Sequence, residues 1–199
     1  MKPDIRDALE RIDTLYPESR LEASRAPWRA VWRRERPADR MPFAFSPLRY
    51  MPYDDLHTGE ERLRATLDDL IDRSGFRDDT IPSIFPGCRQ STLPNLFGAR
   101  EIRVGNDVTC ERIVRSPVDV DGLSWAIAPG TVAWNWLEMQ KVMLEESDGR
   151  LPIHVVDMQG PFDACAQLCG YENLILMAYD EPDRYHRFLS LMGDAFVAF

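Results

Sequence analysis

The stretch from residue 151 to residue 174, LPIHVVDMQGPFDACAQLCGYENL, constrains the fold more than any other part of the chain. Its first half is a short β-branched run, which is typical of a buried parallel strand. Gly160 permits a sharp turn, and Pro161 suits the first position of a helix, where its missing N–H costs no hydrogen bond. The pattern therefore predicts a parallel strand over residues 152–157, a short loop and then a helix.

Two polar residues follow this predicted strand. In parallel α/β folds, ligands bind at the carboxyl ends of the strands. Asp157 and Gln159 stand at such an end, and Asp157 is the candidate catalytic residue. A role for Asp157 in tying down a neighbouring loop is the alternative. His154 would point to the opposite face of the strand, where a packed and hydrogen-bonded histidine is expected.

The remaining pattern alternates strands with helices. Apolar residues at helical spacing predict helices over residues 4–15, 60–73, 134–146 and 172–179, a helix between Pro17 and Pro37, and a last helix with Pro182 in its first turn. Short apolar runs at 41–47 and 80–86 indicate strands, and alternation around residues 105–107 indicates a hairpin. This order predicts a parallel α/β protein. The chain ends inside its last helical pattern, which suggests the N-terminal part of a longer protein.

Composition limits the function classes. The 199 residues are 44% apolar and carry a net charge of −9, which argues against general nucleic-acid binding, because phosphate contacts need a basic field. The arginines between residues 25 and 40 are interpreted as a solvated helix face, with contact to an acidic ligand or partner as the alternative. No apolar run approaches the ~20 residues that span a bilayer. The sequence opens with no signal peptide, and its four cysteines show no disulfide-framework spacing, so a cytoplasmic location with reduced thiols is expected.

Two of the cysteines lie four residues apart on one predicted helix. A closed zinc site takes four ligands, and Cys165 and Cys169 have no second pair at metal-ligand spacing. They are interpreted as small packing residues, and tight zinc binding by the chain is not expected.

Several motifs together resemble the uroporphyrinogen decarboxylase family. They are the apolar run before Gly160-Pro161-Phe162, the small-residue helix that ends at Gly170, and the Asp180-Glu181-Pro182 start of the last helix. The resemblance is loose from about Arg36 and more specific over residues 151–199.

The resemblance implies a (β/α)8 TIM barrel with its site at the C-terminal face. Because such a barrel takes roughly 250 residues, the chain would be one domain holding the N-terminal half, with leading helices over 1–36 and the first part of the barrel, including an inserted β-hairpin, over 37–199. An open half-barrel exposes a strand edge and apolar surface. Phe199 would then lack cover, and the chain would aggregate or form oligomers, a homodimer among them.

The resemblance also implies site residues. Arg49 and Tyr50 match part of the family's substrate-binding segment, and Gln159 and Phe162 flank the Gly-Pro turn beside Asp157. These four residues are expected to bind a small-molecule substrate, and Asp157 is expected to act on it.

Two activities occur in the superfamily. Its decarboxylases act on uroporphyrinogen without a cofactor, and its methyltransferases use zinc and act on corrinoid proteins or thiols. Phe45 and Gln167 replace an arginine and a tyrosine of the decarboxylases, and residues 81–90 lack an expected aspartate. These differences favour a methyltransferase-like enzyme acting on a small methylated metabolite or a corrinoid protein. Its zinc ligands would lie beyond Phe199, so that zinc or a corrinoid partner belongs to the full-length protein. A tetrapyrrole decarboxylase and a non-catalytic fragment remain alternatives.

Overall fold

The computed structural model describes residues 1–37, 39–44, 58–87, 91–105, 107–156 and 158–199, and these residues are mostly helical. The α-helices in these ranges are α1 (Pro3–Leu15), α2 (Glu18–Trp32), α3 (Gly59–Arg73), α4 (Thr92–Leu96), α5 (Val132–Glu146), α6 (Pro161–Cys169), α7 (Tyr171–Asp180) and α8 (Pro182–Ala198). Strands β1 (Glu101–Val104) and β2 (Asp107–Cys110) pair antiparallel, and Pro117–Gly122 forms a 3-10 helix.

The predicted helices are confirmed because their signals are local. Ile5, Leu9 and Ile12 form the buried stripe of α1. Helix α3 begins with a capping box, in which the Thr58 side chain accepts from the Glu61 amide and the Glu61 side chain accepts from the Thr58 amide. Pro161 occupies the first turn of α6 as predicted. The hairpin around residues 105–107 is also confirmed, with Val104 paired to Asp107.

The predicted TIM barrel, and with it the half-barrel, is wrong. The structure has one two-stranded antiparallel sheet in the described ranges, whereas a barrel requires consecutive parallel strands. Residues 80–86 and 152–156 are extended but form only an isolated parallel bridge between Ile84 and Ile153. Residues 41–44 form no strand, and the rest of that predicted strand lies outside the described residues.

Prolines explain why these runs do not become strands of a sheet. Pro82 and Pro86 flank Ile84, and Pro152 precedes Ile153. A proline has no N–H to donate to a ladder and is confined to strand edges. The Ile84 amide donates to the Pro152 carbonyl at 2.8 Å, and the His154 amide donates to the Ile84 carbonyl at 2.8 Å. The two segments are extended, as the sequence predicts, but the prolines remove the donors that a continued ladder needs.

The chain divides into two compact units. Unit 1 comprises Met1–Pro86 and Met139–Val155, and unit 2 comprises Gly87–Glu138 and Val156–Phe199. Both units are discontinuous in sequence, and α5 begins in unit 2 and ends in unit 1.

Unit 1 is built around α1 and α3, which pack together. Its buried core consists of Ile5, Leu9, Ile12, Tyr16, Leu63, Leu67, Leu70, Ile84, Met143 and Leu151. The Tyr16 hydroxyl donates to the Leu70 carbonyl at 2.9 Å, so the one polar atom of this aromatic side chain is satisfied inside the core.

Unit 2 is built around α6, α7 and α8, which contact one another. Phe188 and Met192 of α8 and Leu168 of α6 are fully buried in its core. Phe199 packs against the same core and is partly buried, so the prediction that it lacks cover is wrong. None of the helices in the described part of the chain is both long and apolar enough to span a membrane.

Candidate functional site

A cleft of about 400 Å³ lies within unit 1. Its lining residues are Trp28, Trp32, Ala44, Asp79, Ile81, Ser83, Pro152, Ile153 and His154. A volume of roughly 300–1,000 Å³, apolar walls and a few polar groups are typical of small-molecule sites. The cleft is therefore the candidate site of unit 1.

One wall of the cleft comes from the extended segment 80–86. Its side chains alternate, with Thr80, Pro82, Ile84 and Pro86 buried and Ile81 and Ser83 only partly buried. Successive side chains of an extended segment point to opposite faces. Burial of Ile84 in the core therefore directs Ser83 and Ile81 toward the cleft.

The bridge between Ile84 and Ile153 brings Ser83 and His154 together. The Ser83 Oγ lies 2.7 Å from the His154 Nε2, which is hydrogen-bond distance. The Phe85 ring stands edge-on to the His154 ring, with 6.2 Å between ring centroids and 77° between ring planes. A serine hydroxyl and an imidazole thus face the same cleft in a defined arrangement.

Asp79 anchors the rim of the cleft. Its side chain is 2% exposed and accepts from both terminal nitrogens of Arg40 and, at 3.0 Å, from the Phe43 amide. The hydrogen bond from Arg40 is the main reason that the pKa of Asp79 lies below its usual value, with the Phe43 amide adding to this effect. The Trp28 Nε1 donates to the Asp79 carbonyl at 3.0 Å, which fixes an indole wall beside this ion pair.

The residues predicted from the resemblance are not all described. Arg49, Tyr50 and Asp157 lie outside the described residues. Gln159 belongs to unit 2 and accepts a hydrogen bond from Gln167. Phe162 is exposed on α6 with its ring centroid 6.3 Å from that of Tyr171.

The residues of the cleft differ from those that sequence reasoning selected. His154 was interpreted as a packed histidine; it is hydrogen-bonded, but it is exposed and lines the cleft. Ser83, Trp28 and Trp32 were not singled out as site residues. The period of two in an extended segment over 80–86 is the signal that could have placed Ser83 on the face opposite Ile84.

The described cysteines do not fit a zinc site. Cys110, Cys165 and Cys169 are free and buried. The Cys169 Sγ donates to the Cys165 carbonyl at 3.2 Å, and burial raises the pKa of Cys169 to about 11 and that of Cys165 further. Zinc binds the thiolate, which these environments disfavour. Among the residues described, no three His, Cys, Asp or Glu side chains are grouped so that they could hold a metal ion.

Comparison of the chain with protein-family models, with curated proteins and with solved structures gives no match in any of the three. The residues of the cleft, together with the family resemblance noted above, are therefore the basis for a functional proposal.

Proposed function

We propose that unit 1 binds a small methylated metabolite in its tryptophan-walled cleft, and that the protein is a methyltransferase-like enzyme acting on that metabolite or on a corrinoid protein. The observation that carries the proposal is the cleft itself, which combines a volume of about 400 Å³ with the indoles of Trp28 and Trp32. The motifs of residues 151–199 supply the reaction class. A cytoplasmic location, consistent with the free thiols of Cys110, Cys165 and Cys169, is part of the same proposal.

The indole walls suit methyl groups bonded to a cationic nitrogen or sulfur. A cation over an indole face gains about 0.5–2 kcal/mol, most when it is desolvated. Trp32 is 82% exposed, so its ring can rearrange over a ligand at little cost in packing.

The lining of the cleft favours methyl transfer over the decarboxylase alternative. A substrate with several carboxylates needs several guanidinium partners to offset its desolvation. The described residues that line the cleft include no lysine or arginine. Arg40, at the rim, is already bound to the carboxylate of Asp79.

The binding step can be tested by tryptophan fluorescence. Titration with betaine, choline or dimethylsulfoniopropionate should change the tryptophan emission until it saturates, for at least one of the three. The Trp32→Ala variant should raise the dissociation constant of that ligand about tenfold. Tyr179→Ala is the matched control, because Tyr179 is also 82% exposed but belongs to unit 2. Equal affinity in the wild type and Trp32→Ala would refute the indole wall as the binding surface.

The reaction is tested separately with the ligand that binds. Incubation with cob(I)alamin or a thiol as methyl acceptor should yield the demethylated product, measured by NMR. Release of CO2 from a polycarboxylate substrate, without demethylation, would support the decarboxylase alternative. Binding without turnover in either assay would support a non-catalytic fragment.

A further inference from the structure

We propose that Ser83 and His154 form a nucleophile–base pair that gives the cleft of unit 1 a second activity, acyl transfer from small uncharged esters to water. The activity is independent of the methyl transfer proposed above and needs no cofactor.

The backbone places the two side chains for this purpose. Ile84 is fully buried and Ile153 packs against the same core. Their parallel pairing sets Ser83 opposite Pro152 and Phe85 opposite His154, all on the face directed away from the core. Two backbone hydrogen bonds, each 2.8 Å long, hold this register. The pair therefore stands on two extended segments that the Ile84–Ile153 bridge holds in register.

The contact distance allows proton transfer. The Ser83 Oγ and His154 Nε2 are 2.7 Å apart, within the 2.6–3.2 Å that a nucleophile and its general base require. Imidazole is the side chain that most often acts as a general base in enzymes. The Ser83 hydroxyl is also within 3.3 Å of the Ile81 carbonyl, and it donates its proton along the shorter contact to Nε2 when His154 carries its own proton on Nδ1.

The reaction then follows in two balanced steps. The Ser83 Oγ forms a bond to the acyl carbon while its proton passes to His154, and the bond from the acyl carbon to the leaving oxygen breaks as His154 returns that proton to it. The oxygen of a water molecule next forms a bond to the acyl carbon while His154 takes a proton from that water. The bond from the acyl carbon to the Ser83 Oγ then breaks as His154 delivers the proton to Oγ, and the free acid leaves. No electrons are exchanged with an external donor.

Among the described residues that line the cleft, the carboxylate is Asp79, and it does not serve as a third member beside Ser83 and His154. Asp79 lines the same cleft, but Arg40 and the Phe43 amide occupy its oxygens. His154 is oriented by its backbone bond to Ile84 and by the edge-on contact with Phe85. Because the described residues that line the cleft supply no free carboxylate to stabilise the imidazolium, the pair is expected to act on esters with good leaving groups.

The walls define the substrate class. The apolar residues Ile81, Pro152 and Ile153 line the cleft with the pair, and Trp28 lies beside the Arg40–Asp79 ion pair, which is neutral overall. An anionic acyl group would lose hydration there, and the described residues that line the cleft include no lysine or arginine to pair with it. A cleft of about 400 Å³ accepts a small ester. We therefore assign the site to uncharged esters of short carboxylic acids.

The test uses hydrolysis of p-nitrophenyl acetate by the whole chain, with mass spectrometry of the acylated protein. Ser83→Ala and His154→Gln should each lower the rate at least tenfold, and acetyl should be found on Ser83 in the wild type. His186→Gln is the matched control, because His186 is another exposed histidine, on α8 of unit 2, and it would contribute equally to non-specific imidazole catalysis.

A second measurement keeps the proposal testable if acetyl transfer is slow. Ser83→Cys should react with iodoacetamide at least tenfold faster than the double variant Ser83→Cys, His154→Gln, since an adjacent imidazole promotes the thiolate. Far-UV circular dichroism verifies that each variant folds. Equal rates in this pair of variants, full esterase activity in Ser83→Ala, or acetyl on a residue other than Ser83 would each overturn the proposal.

Discussion

Replacement of Gly59 by alanine is expected to destabilise unit 1 by about 2 kcal/mol. Gly59 begins α3, and a Cβ at this position would lie 2.5 Å from the Met139 carbonyl oxygen of α5 and 3.0 Å from the Val142 Cβ. Carbon atoms pack at about 3.5 Å, so the two helices would have to separate by about 1 Å. Backbone atoms cannot swing away as a side chain can.

The magnitude follows from two opposing effects. Overpacking of this kind typically costs about 1–3 kcal/mol. Because the new Cβ would meet a main-chain oxygen, the cost of Gly59→Ala is expected toward the upper end of this range. Alanine offsets at most roughly 0.5–1 kcal/mol of this cost, which is its advantage over glycine in the middle of a helix, because Gly59 is the first residue of α3. Separation would also loosen the core one turn further on, where Leu63 and Met143 are fully buried.

Urea unfolding followed by circular dichroism measures the change. The free energy of unfolding falls by about 1–3 kcal/mol per molar urea. Gly59→Ala should therefore lower the urea concentration at which unit 1 is half unfolded by about 1 M. Gly75→Ala is the control, because a Cβ there meets nothing within 4 Å; it should be neutral or raise stability by up to about 1 kcal/mol. A midpoint for Gly59→Ala equal to that of Gly75→Ala would show that α3 and α5 do not approach in this way.

Two further predictions follow from titratable groups. The pKa of Asp79 is lowered mainly by the hydrogen bond from Arg40, so its stabilising effect is complete above the ordinary aspartate pKa of about 3.9 and is lost as the pH falls through the lower folded pKa. Acid unfolding of Asp79→Asn should therefore show a shallower pH dependence than that of the wild type, and identical profiles would contradict the ion pair. Cys165 and Cys169 should resist labelling by N-ethylmaleimide at pH 7 until urea unfolds unit 2, because burial raises the pKa of both thiols. Mass spectrometry of native and unfolded samples measures the labelling of each cysteine, and rapid labelling of the native protein would contradict their burial.

The helices could be predicted because their determinants lie within a few residues of one another. The capping box of Thr58 and Glu61 starts α3, and Pro161 starts α6. The sheet could not be predicted in the same way. The run at 80–86 alternates as a strand does, but prolines remove the donors that a ladder needs, and only the bridge at Ile84 forms.

The candidate site, like the sheet, could not be predicted from patterns of neighbouring residues in the sequence. Ser83 and His154 are 71 positions apart in the chain, and neither lies in a sequence motif that predicts contact with the other. Their contact depends on which two extended segments pair and in which register. Ile84, which is buried in the core of unit 1, and Ile153, which packs against that core, set this register. Predicting the pair would have required the long-range pairing first.

The interleaving of the two units has a consequence for synthesis on the ribosome. The chain leaves unit 1 at Pro86 and does not return until Met139. At about 5–20 residues per second, the intervening stretch takes roughly 3–10 s to translate. During that interval the extended segment that contains Ile153 is absent, so the backbone of Ile84 has no segment to pair with. The wall that carries Ser83 is therefore made early but completed only when Ile153 has emerged, and a nascent chain halted before that residue would lack the cleft.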